Sequence, residues 1–222
     1  MKQPINAPDK WAASDGHSPL YSFFNAIHPL NKEAIKVLDR DSFPLNVKKG
    51  KFLVKPGMGD DHFFLVMKGV IRGFIKEDGK EITTWINEEH EIVGTIRNIG
   101  LKIPSEEYVQ AVIDSYVIGI PTSLIEYLYE HFPEGNIIGR KILEDNYRGS
   151  EERAYICRIP SAEKKYRRFM DTQPGLLNRI SLKYIASYLG MTIETISRVR
   201  NRVNKSTSPV TTRPTSGIPE IS

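Results

Sequence analysis

Residues 180–203 read ISLKYIASYLGMTIETISRVRNRV. The stretch divides at Gly190 into two helical patterns. Ser181 precedes the first, and its hydroxyl can accept a bond from a free backbone N–H of the opening turn. Leu182, Ile185, Ala186 and Leu189 then recur at helical spacing. Gly190 supplies the positive φ that ends a helix at low cost. Thr192 can cap the second pattern, whose apolar face is Ile196, Val199 and Val203. At about 100° per residue, Glu194, Arg198, Asn201 and Lys205 gather on the opposite face. A carboxylate, a guanidinium, an amide and an amine together can read base edges and phosphates. This is the layout of a helix-turn-helix with its recognition helix from Thr192 onward. An ordinary helical hairpin with a solvated charged face has the same local pattern, so the rest of the chain must separate the two.

The distribution of charge favours DNA. The whole chain of 222 residues carries a net charge of +4. Residues 1–132 hold 15 Lys and Arg against 18 Asp and Glu, whereas residues 160–205 hold 10 against 3. The positive excess therefore sits on the segment with the helix-turn-helix, as phosphate attraction requires. A hydrophobic content of 40% is enough to bury a sizeable core. No apolar run approaches the roughly 20 residues needed to span a bilayer. MKQPINAPDKWAASDGHSPL has no continuous apolar core, so no secretory signal is expected and the expected location is cytoplasmic, away from membranes. Cys157 is the sole cysteine, which excludes an intrachain disulfide and a cluster held by one chain's thiolates. In its helical setting Cys157 is expected to serve as a small buried apolar residue.

Working outward, residues 1–19 read as a flexible N-terminal arm. Residues 20–43 carry helical spacing, with a break at Pro29. From Leu45 to Ile120, short runs rich in Val, Ile, Phe and Thr alternate with Lys49-Gly50, Pro56-Gly57, Lys68-Gly69 and Asp78-Gly79. Such spacing predicts an antiparallel jelly roll, and Asp-Gly between alternating runs predicts a hairpin. Val70, Arg72, Phe74 and Lys76 alternate with Ile71, Gly73 and Ile75, with apolar residues on both faces. SLIEYLYEHF is helical, and residues 134–158 form a longer helix in which Ile138, Ile142 and Ile156 are the candidate seam. Pro160 breaks it, and SAEKKYRRFMD follows. From Ser206 the Ser/Thr/Pro-rich tail has no core-forming pattern. The class is α+β, in five parts: arm 1–19, β-roll sensor domain 20–132, connecting and dimerising helix 133–159, helix-turn-helix 160–205, tail 206–222.

This order of parts resembles the Crp/Fnr family of bacterial transcription regulators over residues 20–205. KKGKFLVKPG, VMKGVIR and EDGKEITTW carry the resemblance in the roll. SAEKKYRRFM and RISLKYIASYLGMTIETISRVRNRV carry it near the C-terminus and look like the Bacteroidetes branch. The resemblance implies a sensor roll for a small effector, a homodimer formed along the long helix, and paired recognition helices on double-stranded DNA. A two-fold dimer expects a roughly palindromic operator, with half-sites about 34–36 Å or a multiple apart. Glu194, Thr195 and Arg198 fall on the family's recognition positions. Arg198 suits guanine O6 and N7, and Glu194 suits cytosine N4. Thr192, Thr195 and Ser197 suit phosphates near the helix start, and Asn201 and Arg202 complete the expected DNA-binding set. Ile193 departs from the family, which often has arginine there.

The effector pocket departs further. Members that bind cyclic nucleotides use Gly-Glu for the ribose and Arg-Ser/Thr-Ala for the cyclic phosphate. Here those positions hold Gly94-Thr95 and Ser105-Glu106-Glu107. Gly94, Thr95 and Ser105 are therefore the expected pocket residues. Two acidic side chains beside Ser105 repel an anion, so cyclic AMP is not expected to bind in the family's manner. The tail does not read as the β-hairpin wing common after the recognition helix. No cofactor and no metal site are expected. His17, His28, His62, His90 and His131 show no ligand pairing, and Asp60, Asp61 and His62 read as a solvated turn. Two rival readings stay open: a degenerate, effector-independent protein-interaction module, and a cupin-like β-roll enzyme.

Overall fold

A computed structural model describes residues 10–57, 62–95 and 104–207, with side chains as far as 203. Two helices lead, α1 (Pro19–Ile27) and α2 (Lys32–Asp41). Ser18 and Asn31 cap them by accepting the backbone N–H of Leu20 and Ala34. Residues 10–18, placed in a flexible arm by composition, are anchored. Trp11 is 1% exposed, and its indole N–H donates to the Asp39 carbonyl at 2.9 Å. The Lys10 ammonium donates to the carbonyls of Arg40 and Ser42 at 2.8 Å. One large aromatic with its single donor satisfied outweighs a polar, proline-rich context. Residues 1–9 lie outside the described residues.

Eight strands follow among the described residues: β1 (Phe43–Val47), β2 (Phe52–Val54), β3 (His62–Lys68), β4 (Ile71–Glu77), β5 (Lys80–Asn87), β6 (Ile92–Val93), β7 (Tyr108–Ala111) and β8 (Ser115–Pro121). They form two four-stranded sheets, β1-β8-β3-β6 and β2-β7-β4-β5, with antiparallel pairing throughout the recorded ladders. This is the expected jelly roll. Asp78 and Gly79 take φ of 49° and 74°, the two positive values that a tight primed turn needs between β4 and β5. Phe64, Val66, Ile71, Val93, Val109, Ala111 and Val117 fill the space between the sheets.

Both faces of β4 are buried, for different reasons. Ile71 and Gly73 face the inside of the roll. Arg72 and Phe74 pair across the sheet with Ile86 and Thr83 and lie on the outer face. That outer face is covered by the C-terminal helices: Val70, Ile86 and Val112 share one core with Tyr166, Phe169, Ile185, Leu189 and Ile196. A strand covered on both sides loses the clean apolar–polar alternation of a solvated one.

Beyond the roll come α3 (Thr122–His131) and α4 (Pro133–Arg158). On α4, Ile138 packs with α1, α2 and α3 in the N-terminal core, Ile142 lies against that core, and Ile156 is buried in the C-terminal one. The residues expected as an intermolecular seam thus face their own chain. Leu143, Tyr147 and Tyr155 are the large apolar side chains that α4 exposes, at 58%, 67% and 57%. Cys157 is exposed too, contrary to the buried apolar role expected of it. Helix α4 ends two residues before Pro160, which disfavours helical backbone in the residue before it. Ser161 then caps α5 (Ala162–Thr172), accepting from the Lys164 N–H at 3.3 Å. Helices α6 (Leu182–Tyr188) and α7 (Ile193–Thr207) complete the fold. Helix α7 takes in Ser206 and Thr207, which composition assigns to the tail. Residues 208–222, and with them the question of a wing, lie outside the described residues. Among those described, no helix is long and apolar enough to cross a membrane.

Candidate nucleic-acid interface and sensor cavity

The turn between α6 and α7 forms as its residues dictate. Ser181 accepts from the Lys183 N–H at 3.4 Å and starts α6. At its end, the Met191 N–H donates to the Ala186 carbonyl at 2.9 Å, with Gly190 at φ 63°. Thr192 accepts the Thr195 N–H at 3.2 Å, and its hydroxyl donates to that of Thr195 at 3.1 Å. Ile185, Ala186, Leu189, Ile196, Val199 and Val203 are buried together. Helix α7 is thereby fixed with one face against the core and the other in solvent.

On the solvent face lie Glu194, Arg198, Asn201 and Arg202, all exposed, with Thr192 at the start of the helix. Ile193 is 51% exposed beside them. Thr195 and Ser197 are half-buried, and the two threonine hydroxyls are engaged with each other in the cap. Lys205 lies on α7, but its side chain is outside the described set. The Glu194 carboxyl is held below the usual carboxylate range by its own backbone N–H first, then by the Thr192 hydroxyl and the charge of Arg198. It is therefore an acceptor at neutral pH, suited to an amino donor such as cytosine N4.

Helix α6 is also docked on the roll, through long-range contacts that no local sequence pattern signals. The Ser187 hydroxyl accepts the backbone N–H of Thr83 and donates to the carbonyl of Glu81, both at 2.9 Å. Those groups lie along the outer edge of β5, the edge strand of its sheet. Arg72 is 2% exposed. Its guanidinium lies 4.1 Å from the ring of Phe74 and 4.2 Å from that of Tyr184 on α6. It donates to Gln110 at 2.7 and 3.0 Å and to Glu81 at 2.5 Å, so the buried charge is both paired and stacked. Arg179 donates to Glu88 at 3.0 Å, to Glu89 at 2.8 and 2.5 Å, and to the Gly69 carbonyl at 3.2 Å. Glu89 also accepts the Gly69 N–H at 2.7 Å.

On the opposite side of β5 a cavity of about 410 Å³ opens between the roll and α4. Gly94 and Ser105 line it; Thr95 is buried and stands outside the lining. Thr84, Trp85 and Asn87 of β5 form one wall, and Asn146, Ser150 and Arg153 of α4 form another. Glu106 and Glu107 are present as the sequence implies. Glu107 accepts the Thr84 hydroxyl at 2.5 Å, and its N–H donates to the Ser105 hydroxyl at 3.0 Å. The Arg153 guanidinium donates to Ser150 at 2.7 Å. This cation enters from a helix far along the chain, and no local motif signals it. The cavity thus carries charge of both signs. Among the described residues, no group of three or more His, Cys, Asp and Glu is placed to hold a metal ion. His62 opens β3 with its ring 5.5 Å from that of Phe43 and 6.3 Å from that of Phe64, and Asp60 and Asp61 are outside the described residues.

Comparison with known proteins agrees with this architecture. Residues 44–132 match the family model of the cyclic nucleotide-binding domain. The fumarate and nitrate reduction regulatory protein of Vibrio cholerae is 27% identical over 172 residues, covering 72% of this chain and 68% of the relative. The transcriptional activator protein Anr of Pseudomonas protegens is 29% identical over 192 residues, 78% of this chain and 75% of its own. Among solved structures, FixK2 from Bradyrhizobium japonicum shares the fold with a TM-score of 0.66 at 17% identity, over 74% of this chain and 85% of that one. A putative crp/fnr-family regulator from Eubacterium rectale gives 0.65 at 19% identity, over 83% and 88%. With a matched cyclic nucleotide-binding domain, a long connecting helix and a helix-turn-helix in that order, the chain is similar in sequence to these regulatory proteins and shares the fold of the crp/fnr-family structure.

Proposed function

We propose that this chain is a DNA-binding transcription regulator that grips a roughly palindromic operator as a homodimer. One observation carries the reading: α7 buries Ile196, Val199 and Val203 and turns Glu194, Arg198, Asn201 and Arg202 to solvent on the other side. Arg198 serves as the bidentate donor to guanine and Glu194 as the acceptor from cytosine. Asn201 and Arg202, with Thr192, Thr195 and Ser197 at the helix start, hold base edges and phosphates. The relatives, one named a regulatory protein and the other a transcriptional activator, support this assignment. The solvent-facing Leu143, Tyr147 and Tyr155 of α4 suit pairing with a second copy, which sets two α7 helices one groove repeat apart.

The cavity between β5 and α4 takes a small effector in this reading. Cyclic AMP does not fit it in the family's manner, because Thr95 replaces the ribose-binding carboxylate and Glu106 and Glu107 follow Ser105 where a phosphate needs cations. A mobility-shift assay with fragmented genomic DNA tests the function: a retained subset of fragments, weakened by added salt, supports it. Equal, sequence-blind retention, or none, refutes it.

A further inference from the structure

We infer that β5 couples the cavity to the helix-turn-helix, so that what happens at Thr84 is felt at α6 through a layer one strand thick. The inference rests on the DNA-binding reading for its biological meaning, and on the geometry of β5 for its mechanism. A bulge between Gly73/Phe74 and their partners puts Thr83 and Trp85 on opposite faces, with Thr84 between them. Thr83 donates its N–H to Ser187 of α6, and its hydroxyl oxygen accepts from the buried guanidinium of Arg72. Thr84, the next residue, gives its hydroxyl to Glu107 in the cavity wall, and Trp85 and Asn87 line the same cavity. The strand then runs into Glu88 and Glu89, which hold Arg179 just before α6.

Three features make β5 suited to this task. It is an edge strand, so the Ser187 hydroxyl is what occupies its outward N–H and carbonyl at Thr83 and Glu81; without it the edge is left open. Its partner Gly73 sits against Trp85 so closely that an added Cβ meets the indole, so the pair moves as a unit. And the Arg72 guanidinium, clamped between Phe74 of the roll and Tyr184 of α6, ties the orientation of α6 to the pleat of the same sheet. A ligand that draws Glu107 away from Thr84 shifts the bulge, and with it the two backbone groups that hold Ser187. Coupling between sites is reciprocal, so disturbing Ser187 must also be felt at the cavity.

The test is backbone hydrogen exchange on the full chain, without ligand or DNA, for Ser187→Ala and Thr84→Val. Ser187→Ala is expected to speed exchange at Thr84–Asn87 and at Ser105–Glu107. Thr84→Val is expected to speed exchange along Leu182–Tyr188, in each case about 5-fold or more, the low end of typical coupling between sites. Thr84→Ser keeps the hydroxyl and is expected to restore the parent pattern, which separates lost coupling from general destabilisation. Changes confined to the mutated side, in both variants, overturn the inference. Because the readout needs no DNA, a chain that binds no operator refutes the proposed function and leaves this test standing.

Discussion

The Arg179 clamp is the contact between sensor and output whose strength can be worked out most directly. Its guanidinium makes three bonds to Glu88 and Glu89 and one to the Gly69 carbonyl. The side chains of Arg179 and Glu89 are 31% and 26% exposed, so water screens the pair only in part. A hydrogen bond to a charged group contributes about 1.5–3 kcal/mol net. With partial exposure we expect Arg179→Met to cost about 2 kcal/mol and to lower the thermal midpoint by about 4–8 °C for a chain of this size. Glu89→Gln on its own is expected to cost about 1–2 kcal/mol, because Glu88 still holds Arg179. The double variant should cost less than the two singles combined, with a coupling of about 1–2 kcal/mol in a urea double-mutant cycle. Coupling within about 0.3 kcal/mol of zero refutes the clamp. Acid gives a second reading. The Arg179 hydrogen bond, helped by the Gly69 N–H, pulls the Glu89 carboxyl from its ordinary 4.5 down to about 2. A depressed carboxyl stabilises the fold fully above its ordinary value. That contribution falls away as pH drops from about 4.5 toward 2. In Arg179→Met this particular loss between the two values should shrink.

Further expectations follow from single positions. Gly190 has φ 63° and open space where a Cβ would stand, so Gly190→Ala should cost about 1–2 kcal/mol from backbone strain, and Gly190→Asn less, by chemical denaturation. Leu143→Glu with Tyr147→Glu should halve the mass seen in sedimentation without lowering the helical signal, since both side chains point to solvent within one chain; an unchanged dimer places the seam elsewhere. Calorimetry with cyclic AMP should give no micromolar binding; a micromolar isotherm shows that Arg153 supplies the phosphate contact that Ser105 cannot.

The parts that were legible in the sequence are those set by local chemistry. Ser161, Ser181 and Thr192 announce their helices because a hydroxyl at that position satisfies a free N–H. Asp78-Gly79 announces a hairpin because both residues tolerate positive φ. The exposed face of α7 is readable because its opposite face repeats every three or four residues. What stayed hidden was assembled over long separations. Arg153 reaches the cavity from α4, and Ser187 completes the edge of a strand 104 residues earlier. The isoleucines of α4 have the spacing of a seam, but periodicity cannot say whether they face the same chain or another. The apolar residues on both faces of β4 were visible as a broken alternation. Their cause, a second cover over the outer face, shows only once α6 is in place.

DNA reading by α7 is tested most directly by comparing the parent chain with Arg198→Ala on genomic fragments in competition mobility shifts. Arg198 is exposed, so its loss should leave the fold intact. The parent should retain selected fragments, and the variant should lose about 1–3 kcal/mol of discrimination between them and random competitor while keeping salt-sensitive, non-specific binding. The same preference in both proteins would contradict it, because the exposed face of α7 would then not be the surface that reads DNA.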